Sequence, residues 1–246
     1  MDSIAQPEET RLERLGSYTI NASMGAKDRT NFDLIFSGGS VIDFVYPNNP
    51  TKATIVNAAN GECLGGGGAD GAISSAGGPN LLNDRLALPI IKSIQSSSTS
   101  EDDISEDEIY CEINVRWRPT GNAKLSGPGE YGSLKVSNVI HAVGPNYLNC
   151  NTMPEEADAL LRSAYAKSLE LAEESDLEAV AFCLLSAGMF RGDRTLDHVL
   201  RIAVEAVCDF KGYDSLCDVH TWPFSLKKAD ALAKIAQEIG LEKANS

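Results

Sequence analysis

Histidine is scarce, with three in 246 residues and no H-E-x-x-H pair, so no metal site is expected. Six cysteines, at positions 63, 111, 150, 183, 208 and 217, form no C-x-x-C. In a chain of this length that scatter predicts reduced thiols and a cytoplasmic or nuclear protein rather than a disulfide scaffold. No apolar run approaches the roughly 18 residues of a membrane span. The opening M-D-S-I-A-Q-P-E-E-T lacks the basic and apolar regions of a secretory leader. Positive charge is also short: 21 Lys and Arg stand against 35 Asp and Glu, for a net charge of −14. Nucleic acid and anionic membranes are therefore not expected as main partners, because binding them needs clustered cations. The P-loop pattern G-x-x-x-x-G-K-[ST] is absent, and no Ser-His or Cys-His nucleophile is evident.

What the chain does have is enough apolar residue for a core, at 43%, with a mean hydropathy of −0.16. Its length suits one large domain or one domain with insertions. The stretch that organises it is Thr54 to Gly71, T-I-V-N-A-A-N-G-E-C-L-G-G-G-G-A-D-G. Thr54, Ile55 and Val56 read as a buried strand. Asn57 and Asn60 follow at its end, the usual ligand edge of an open α/β sheet. Gly65, Gly66, Gly67 and Gly68 carry no Cβ, so their amides can approach a ligand closely. Ala69 and Asp70 stand where a helix begins, and amides gathered at a helix start attract anions. The stretch predicts a pocket for a phosphate-bearing ligand with one carboxylate beside it. Gly66, Gly68 and Gly71 also satisfy G-x-G-x-x-G, but in a dinucleotide fold those glycines follow the strand immediately, whereas here Asn57 to Cys63 intervenes.

I-V-N-A-A-N with L-G-G-G-G-A-D-G-A-I resembles the signature of the macro domain family, in its MacroD-type branch. V-I-H-A-V-G-P (Val139 to Pro145) and L-L-S-A-G-M-F (Leu184 to Phe190) resemble later segments of the same family in the same order. The likeness runs from about Phe32 to Phe224. It implies a three-layer α/β/α macro domain with a mixed, mostly parallel sheet, and ADP-ribose as the ligand, with no cofactor. It also implies roles for individual residues. An aspartate before the N-A-A-N strand would bind adenine: Asp43 is the nearby acid, although in the frame Gly39-Ser40 a serine takes that place. Asn60 would hold the distal ribose. The second loop, Ser186, Ala187, Gly188, Met189, Phe190, Arg191 and Gly192, would hold the pyrophosphate, with Phe190 over the ribose. This loop departs from the family's S-T-G-V-Y-G by Ala187 and by an inserted Arg191, which either reaches a phosphate or points to solvent. Phe224, or Trp222, would stack on adenine.

The rest of the chain is read by periodicity. Residues 1–31 are taken as a surface extension with a short helix around Glu8 to Leu15, and the domain as 32–246. Phe32 to Phe36 is a strand, and Val41 to Tyr46 the next strand or its exit. Gly71 to Ala76 is a short helix stopped by Gly77-Gly78-Pro79, with a second from Asn80 to Ile94. Gln95 to Glu108 is a Ser-rich acidic insertion. Ile109 to Trp117 and Val136 to Ala142 are strands, the latter holding His141 as a core histidine. Thr152 to Glu155 reads as a capping box opening a helix to about Glu174. Ala179 to Leu185 reads as a strand buried on both faces. Helices follow over Thr195 to Phe210, carrying a partnerless His198, and over Ser225 to Ile239, with Asp218 to Thr221 as the last strand. The alternation of strand and helix supports α/β architecture independently of the resemblance.

Three functions fit this reading. The first is a hydrolase that removes mono-ADP-ribose from acidic protein side chains, or deacetylates O-acetyl-ADP-ribose, using a water activated near Asp70 with Asn60 as helper. The second is a non-catalytic ADP-ribose reader. The third is an ADP-ribose 1″-phosphate phosphatase. The expected partners are ADP-ribose or mono-ADP-ribosylated proteins, and the expected state is a monomer.

Overall fold

The computed structural model describes residues 14–21, 31–47, 49–89, 120–148, 153–223 and 225–243. Among these residues eight strands form one sheet: β1 (Arg14–Asn21), β2 (Asn31–Ser37), β3 (Ala53–Ala58), β4 (Ala123–Ser126), β5 (Asn138–Ala142), β6 (Ala179–Cys183), β7 (Asp218–Trp222) and β8 (Glu242–Lys243). Their spatial order is β4-β5-β3-β6-β7-β2-β1-β8. From β5 through β2 every pairing is parallel, while β4 and β1 join antiparallel at either side. The helices are α1 (Gly68–Ala87), α2 (Pro154–Glu174), α3 (Leu196–Asp209) and α4 (Leu226–Glu238). This is the expected three-layer α/β/α fold with a mixed, mostly parallel sheet.

The central strands are apolar and β-branched because both faces are covered. Ala179–Cys183 and Asn138–Ala142 are buried at every position. Burying a Val, Leu, Ile or Phe side chain contributes about 1.5–3 kcal/mol, so Val180, Phe182, Val139 and Ile140, each fully enclosed, hold the sheet's middle. Helices α2, α3 and α4 pack in a row on one face, and α1 packs against β3 on the other. That division follows from right-handed crossovers running in opposite directions along the sheet. It sends the adjacent strands β3 and β6 into loops that diverge to opposite faces, which opens a crevice at their carboxyl ends.

Several sequence expectations need correction. Residues 14–21 are not surface extension but strand β1, paired with both β2 and β8; the rest of the helix expected at Glu8 to Leu15 lies outside the described residues. Val41–Asp43 is a 3-10 turn rather than a strand. The two helices expected on either side of Gly77-Gly78-Pro79 are both present, as the two arms of α1, which leaves helical geometry at Gly78 (φ 63°, ψ −159°), a conformation that favours glycine. The N-cap of α2 is Met153 and Pro154 opens the helix; Thr152, where the expected capping box begins, lies outside the described residues. Phe224, the 95–108 insertion and the strand expected at Ile109 to Trp117 lie outside the described residues. The remaining strands and helices fall within a few residues of their expected bounds, and Gly240 (φ 79°) closes α4, its amide bonded to Gln237 O.

Candidate functional site

The crevice is built from the loop after β3. Asn60 folds this loop on itself: its Oδ1 accepts from the amides of Glu62 and Cys63 at 3.0 and 3.1 Å, and its Nδ2 donates to Gly65 O at 3.0 Å. Gly65 (φ 117°) and Gly68 (φ 61°) take backbone angles that a side chain would strain. Gly67 is the N-cap of α1, and nothing lies within 4 Å of where a Cβ would project from Gly67 or Gly68. Gly66, Gly67, Gly68 and Ala69 are exposed. The glycines thus present bare backbone at a helix start, open to a ligand, which is the physical requirement for an anion cradle.

Asp70 closes the cradle from beneath. It is 3% exposed. Its Oδ1 accepts from Asn57 Nδ2 at 2.8 Å and lies 3.3 Å from Arg85 Nη2. Its Oδ2 has no hydrogen-bond partner among the described residues. A Cβ placed on Gly66 would lie 3.0 Å from that Oδ2 and 3.5 Å from Asn60 Nδ2. The free carboxylate oxygen and the Asn60 amide therefore converge beside the Gly66 backbone. Burying an unpartnered carboxylate oxygen is costly, so the position carries a requirement that folding alone does not explain.

Asn57 is fully buried, and its Nδ2 also contacts His141 Nδ1 at 3.2 Å, while His141 Nε2 lies 3.1 Å from Ser126 Oγ. With Nδ1 accepting from the amide, Nε2 carries the proton and donates to the serine. His141 is the hydrogen-bonded core histidine expected, and it orients Asn57, which in turn orients Asp70.

Arg85 was not anticipated from the sequence. At 1% exposed it heads the large buried side chains. Its Nη1 donates to Ser74 Oγ at 2.8 Å, and that hydroxyl donates to Asp70 O at 2.7 Å. Burial lowers its pKa, and the nearby Asp70 carboxylate opposes that shift. Fifteen positions along a straight helix span about 22 Å. The two side chains meet because α1 turns back at Gly78. No local spacing signals such a contact.

The second loop, 184–195, faces the first. Cys183 Sγ accepts from the Ala58 amide at 3.2 Å, tying the ends of β3 and β6 together, and burial pushes its thiol up to about 12. Ser186 (φ 52°) donates its hydroxyl to Pro145 O at 2.7 Å, so its side chain braces the loop. Ala187 is buried, and Gly188 is exposed with open space before it. Met189–Arg191 forms a 3-10 turn with Met189 83% and Phe190 38% exposed. Arg191 is half-buried, and its Nη1 donates to Arg194 O in its own loop. His198 has a partner after all, Asp158 Oδ2 at 2.7 Å. Lys228, at the start of α4, is also drawn in; burial and the charge of Arg191 lower its pKa.

Asp43 is exposed in the turn after β2, with Ser40 at that turn's N-cap, both at the same sheet edge. Trp222 is buried edge-on to Phe44, with ring centroids 6.2 Å apart, so its indole belongs to the core. Among the described residues no group of three or more His, Cys, Asp or Glu is placed to hold a metal ion, and no helix is long and apolar enough to cross a membrane.

Comparison with known proteins agrees with this geometry. The Macro domain family model matches residues 102–202. Macro domain-containing protein TTE0995 of Caldanaerobacter subterraneus subsp. tengcongensis is 34% identical over 185 residues, covering 75% of this chain and 88% of that protein. The O-acetyl-ADP-ribose deacetylase of Escherichia fergusonii is 34% identical over 156 residues, covering 63% and 71%. Among solved structures, the Oceanobacillus iheyensis macrodomain with ADP superposes with a TM-score of 0.65 at 25% identity, covering 91% of this chain and 96% of that one. The Trypanosoma brucei macrodomain in complex with ADP-ribose gives 0.59 at 26% identity, covering 82% and 68%. Likeness that spans so much of both sequence and fold leaves one assignment: this chain belongs to the macro domain family.

Proposed function

We propose that the crevice binds ADP-ribose and that the chain is a hydrolase, removing mono-ADP-ribose from acidic side chains of proteins or deacetylating O-acetyl-ADP-ribose. The observation that carries this reading is Asp70: a buried carboxylate with Oδ1 held by Asn57 and Oδ2 left open beside Gly66 and Asn60. Macro domain relatives solved with ADP or ADP-ribose support the ligand, and a relative named for O-acetyl-ADP-ribose deacetylation supports the reaction class.

In this reading the exposed amides of Gly66 to Ala69 and of Gly188 to Phe190 take the pyrophosphate. Backbone suits the task in a chain of net charge −14, since it supplies donors without cationic side chains. Asp70 Oδ2 orients a water and accepts its proton as the water oxygen attacks the ester linkage. The oxygen adds to the acyl carbon, the bond from that carbon to the ribose oxygen breaks, and the proton held by Asp70 passes to the departing ribose oxygen, giving free carboxylic acid and ADP-ribose. A positioned base of this kind contributes about 10²–10⁴-fold.

A reader without turnover is the second reading. It is favoured by one observation: Asn60 spends its side-chain carbonyl and an amide hydrogen on its own loop.

The experiment is incubation with a protein mono-ADP-ribosylated on glutamate, following free ADP-ribose by mass spectrometry, with Asp70→Ala alongside. Turnover should fall roughly 10²-fold or more in the variant while its melting profile stays cooperative. Full activity in Asp70→Ala would refute the mechanism. Binding of ADP-ribose by the wild type without release from protein or from O-acetyl-ADP-ribose would establish the reader.

A further inference from the structure

We propose that Arg85 is a positioning residue of the crevice: it neutralises Asp70 from behind the glycine loop, so that a pyrophosphate can settle beside an otherwise repelling carboxylate, and it holds Oδ1 so that Oδ2 faces the ligand. The proposal rests on the ADP-ribose reading above.

Two ionisable side chains are removed from water together here, Asp70 at 3% and Arg85 at 1% exposed, with 3.3 Å between Nη2 and Oδ1. That is ion-pair distance without hydrogen-bond alignment, and neither Arg85 Nε nor Nη2 has a hydrogen-bond partner among the described residues. Apart from the Nη1 bond to Ser74 Oγ, the guanidinium offers this site no aligned donor. It is there as a charge. Replacing a buried ion pair with well-packed apolar residues is often neutral or stabilising, so stability alone is a weak reason to keep one. The placement supplies a better reason. A Cβ on Gly65 would lie 3.8 Å from Arg85 Nη1 and 3.2 Å from Ser74 Oγ, so the cation sits directly beneath the loop whose upper side is open to the ligand. A lone buried carboxylate there would oppose two phosphate charges at close range, where water screens little. With Arg85 in place the pair is close to neutral, and the backbone amides can act unopposed.

Asn57 also grips Oδ1. Both partners thus take the same oxygen and leave the other one free. A residue serving only to satisfy Asp70 would more economically have bonded Oδ2.

The test is calorimetric titration of ADP-ribose into wild type, Arg85→Met, Asp70→Asn and the double variant, with melting temperatures recorded for each. Arg85→Met should weaken ADP-ribose by about tenfold or more, which is about 1.4 kcal/mol or more. Adding Asp70→Asn to Arg85→Met should return the affinity to within about threefold of Asp70→Asn alone, because removing the carboxylate removes the need for its counter-charge. A structural role would produce no such rescue: a double variant as weak as Arg85→Met overturns the proposal, as does an Arg85→Met that binds like wild type. If Arg85→Met fails to fold, the double variant decides, supporting the proposal if it folds and binds like Asp70→Asn and overturning it if it folds and binds weakly or fails to fold. Wild type that binds no ADP-ribose sinks the reading of the crevice itself, an outcome distinct from failure of the rescue.

Discussion

Single atoms set the limits of this site. Gly71, in the first turn of α1, shows how narrow they are. A Cβ added there would lie 2.7 Å from Gly66 O, a backbone atom that cannot swing aside as a flexible side chain would. Gly71→Ala must therefore displace the loop that carries Gly66, at a cost of about 1–3 kcal/mol as for other overpacked positions. Thermal denaturation should show that loss, and ADP-ribose affinity should fall further than the stability change alone accounts for. An alanine variant with unaltered affinity would mean that the loop moves freely and is not a preformed cradle.

Elements are joined at the site by one carboxylate outside the crevice. Asp158, on α2, accepts from Tyr147 Oη at 2.8 Å, Arg194 Nη2 at 2.8 Å and His198 Nε2 at 2.7 Å. Arg194 also lies over the Tyr147 ring, 5.9 Å from its centroid, and the Tyr147 amide donates to Phe190 O at 2.8 Å. The loops after β5 and β6 and the start of α3 are therefore tied to one point on α2. Removing an acceptor that serves three donors leaves each to find water, at about 1–2 kcal/mol in a partly exposed position. Asp158→Ala should raise amide hydrogen exchange at Tyr147 and across 190–194 with little change at α1. Unchanged exchange in the second loop would show that it holds itself.

The whole molecule should be sensitive to alkali. Burial raises the thiols of Cys183 and Cys208 to about 12 and pushes the phenols of Tyr131, Tyr165 and Tyr213 upward. In the unfolded chain thiols ionise near 9.0 and phenols near 10.0. Between those values and the higher folded ones, the unfolded state has released protons that the folded state still holds. Stability from these groups is thus fully present below pH 9 and is lost as pH rises toward 12. Lys228 and Arg85, both lowered by burial, work in the opposite direction, but they are two groups against five. Melting temperature followed by circular dichroism should fall steeply from about pH 9 upward. A melting temperature constant to pH 11 would contradict the enclosed thiols and phenols.

The sequence by itself determined the central strands, the two glycine loops and the placing of Asp70 at a helix start. These are local properties: β-branched runs, glycine's freedom at positive φ, and helical periodicity are all written over a few neighbouring residues. The membership of His141 in the core was equally legible, from the apolar strand that carries it. Tertiary structure alone decided the contacts that make a site of these pieces. Arg85 reaches Asp70 only because α1 turns back at Gly78. His198 looks partnerless until α2 and α3 pack side by side and bring Asp158 to it. Strand β1 reads as a polar extension because its place at the sheet's margin depends on the edge left by β2, and β8 is too short to announce itself. Arg191 could be assigned neither to a phosphate nor to solvent, since its turn back onto Arg194 O depends on the shape of the whole loop. Charge partners and edge strands are chosen by what comes near in space, and no periodicity along the chain encodes that distance.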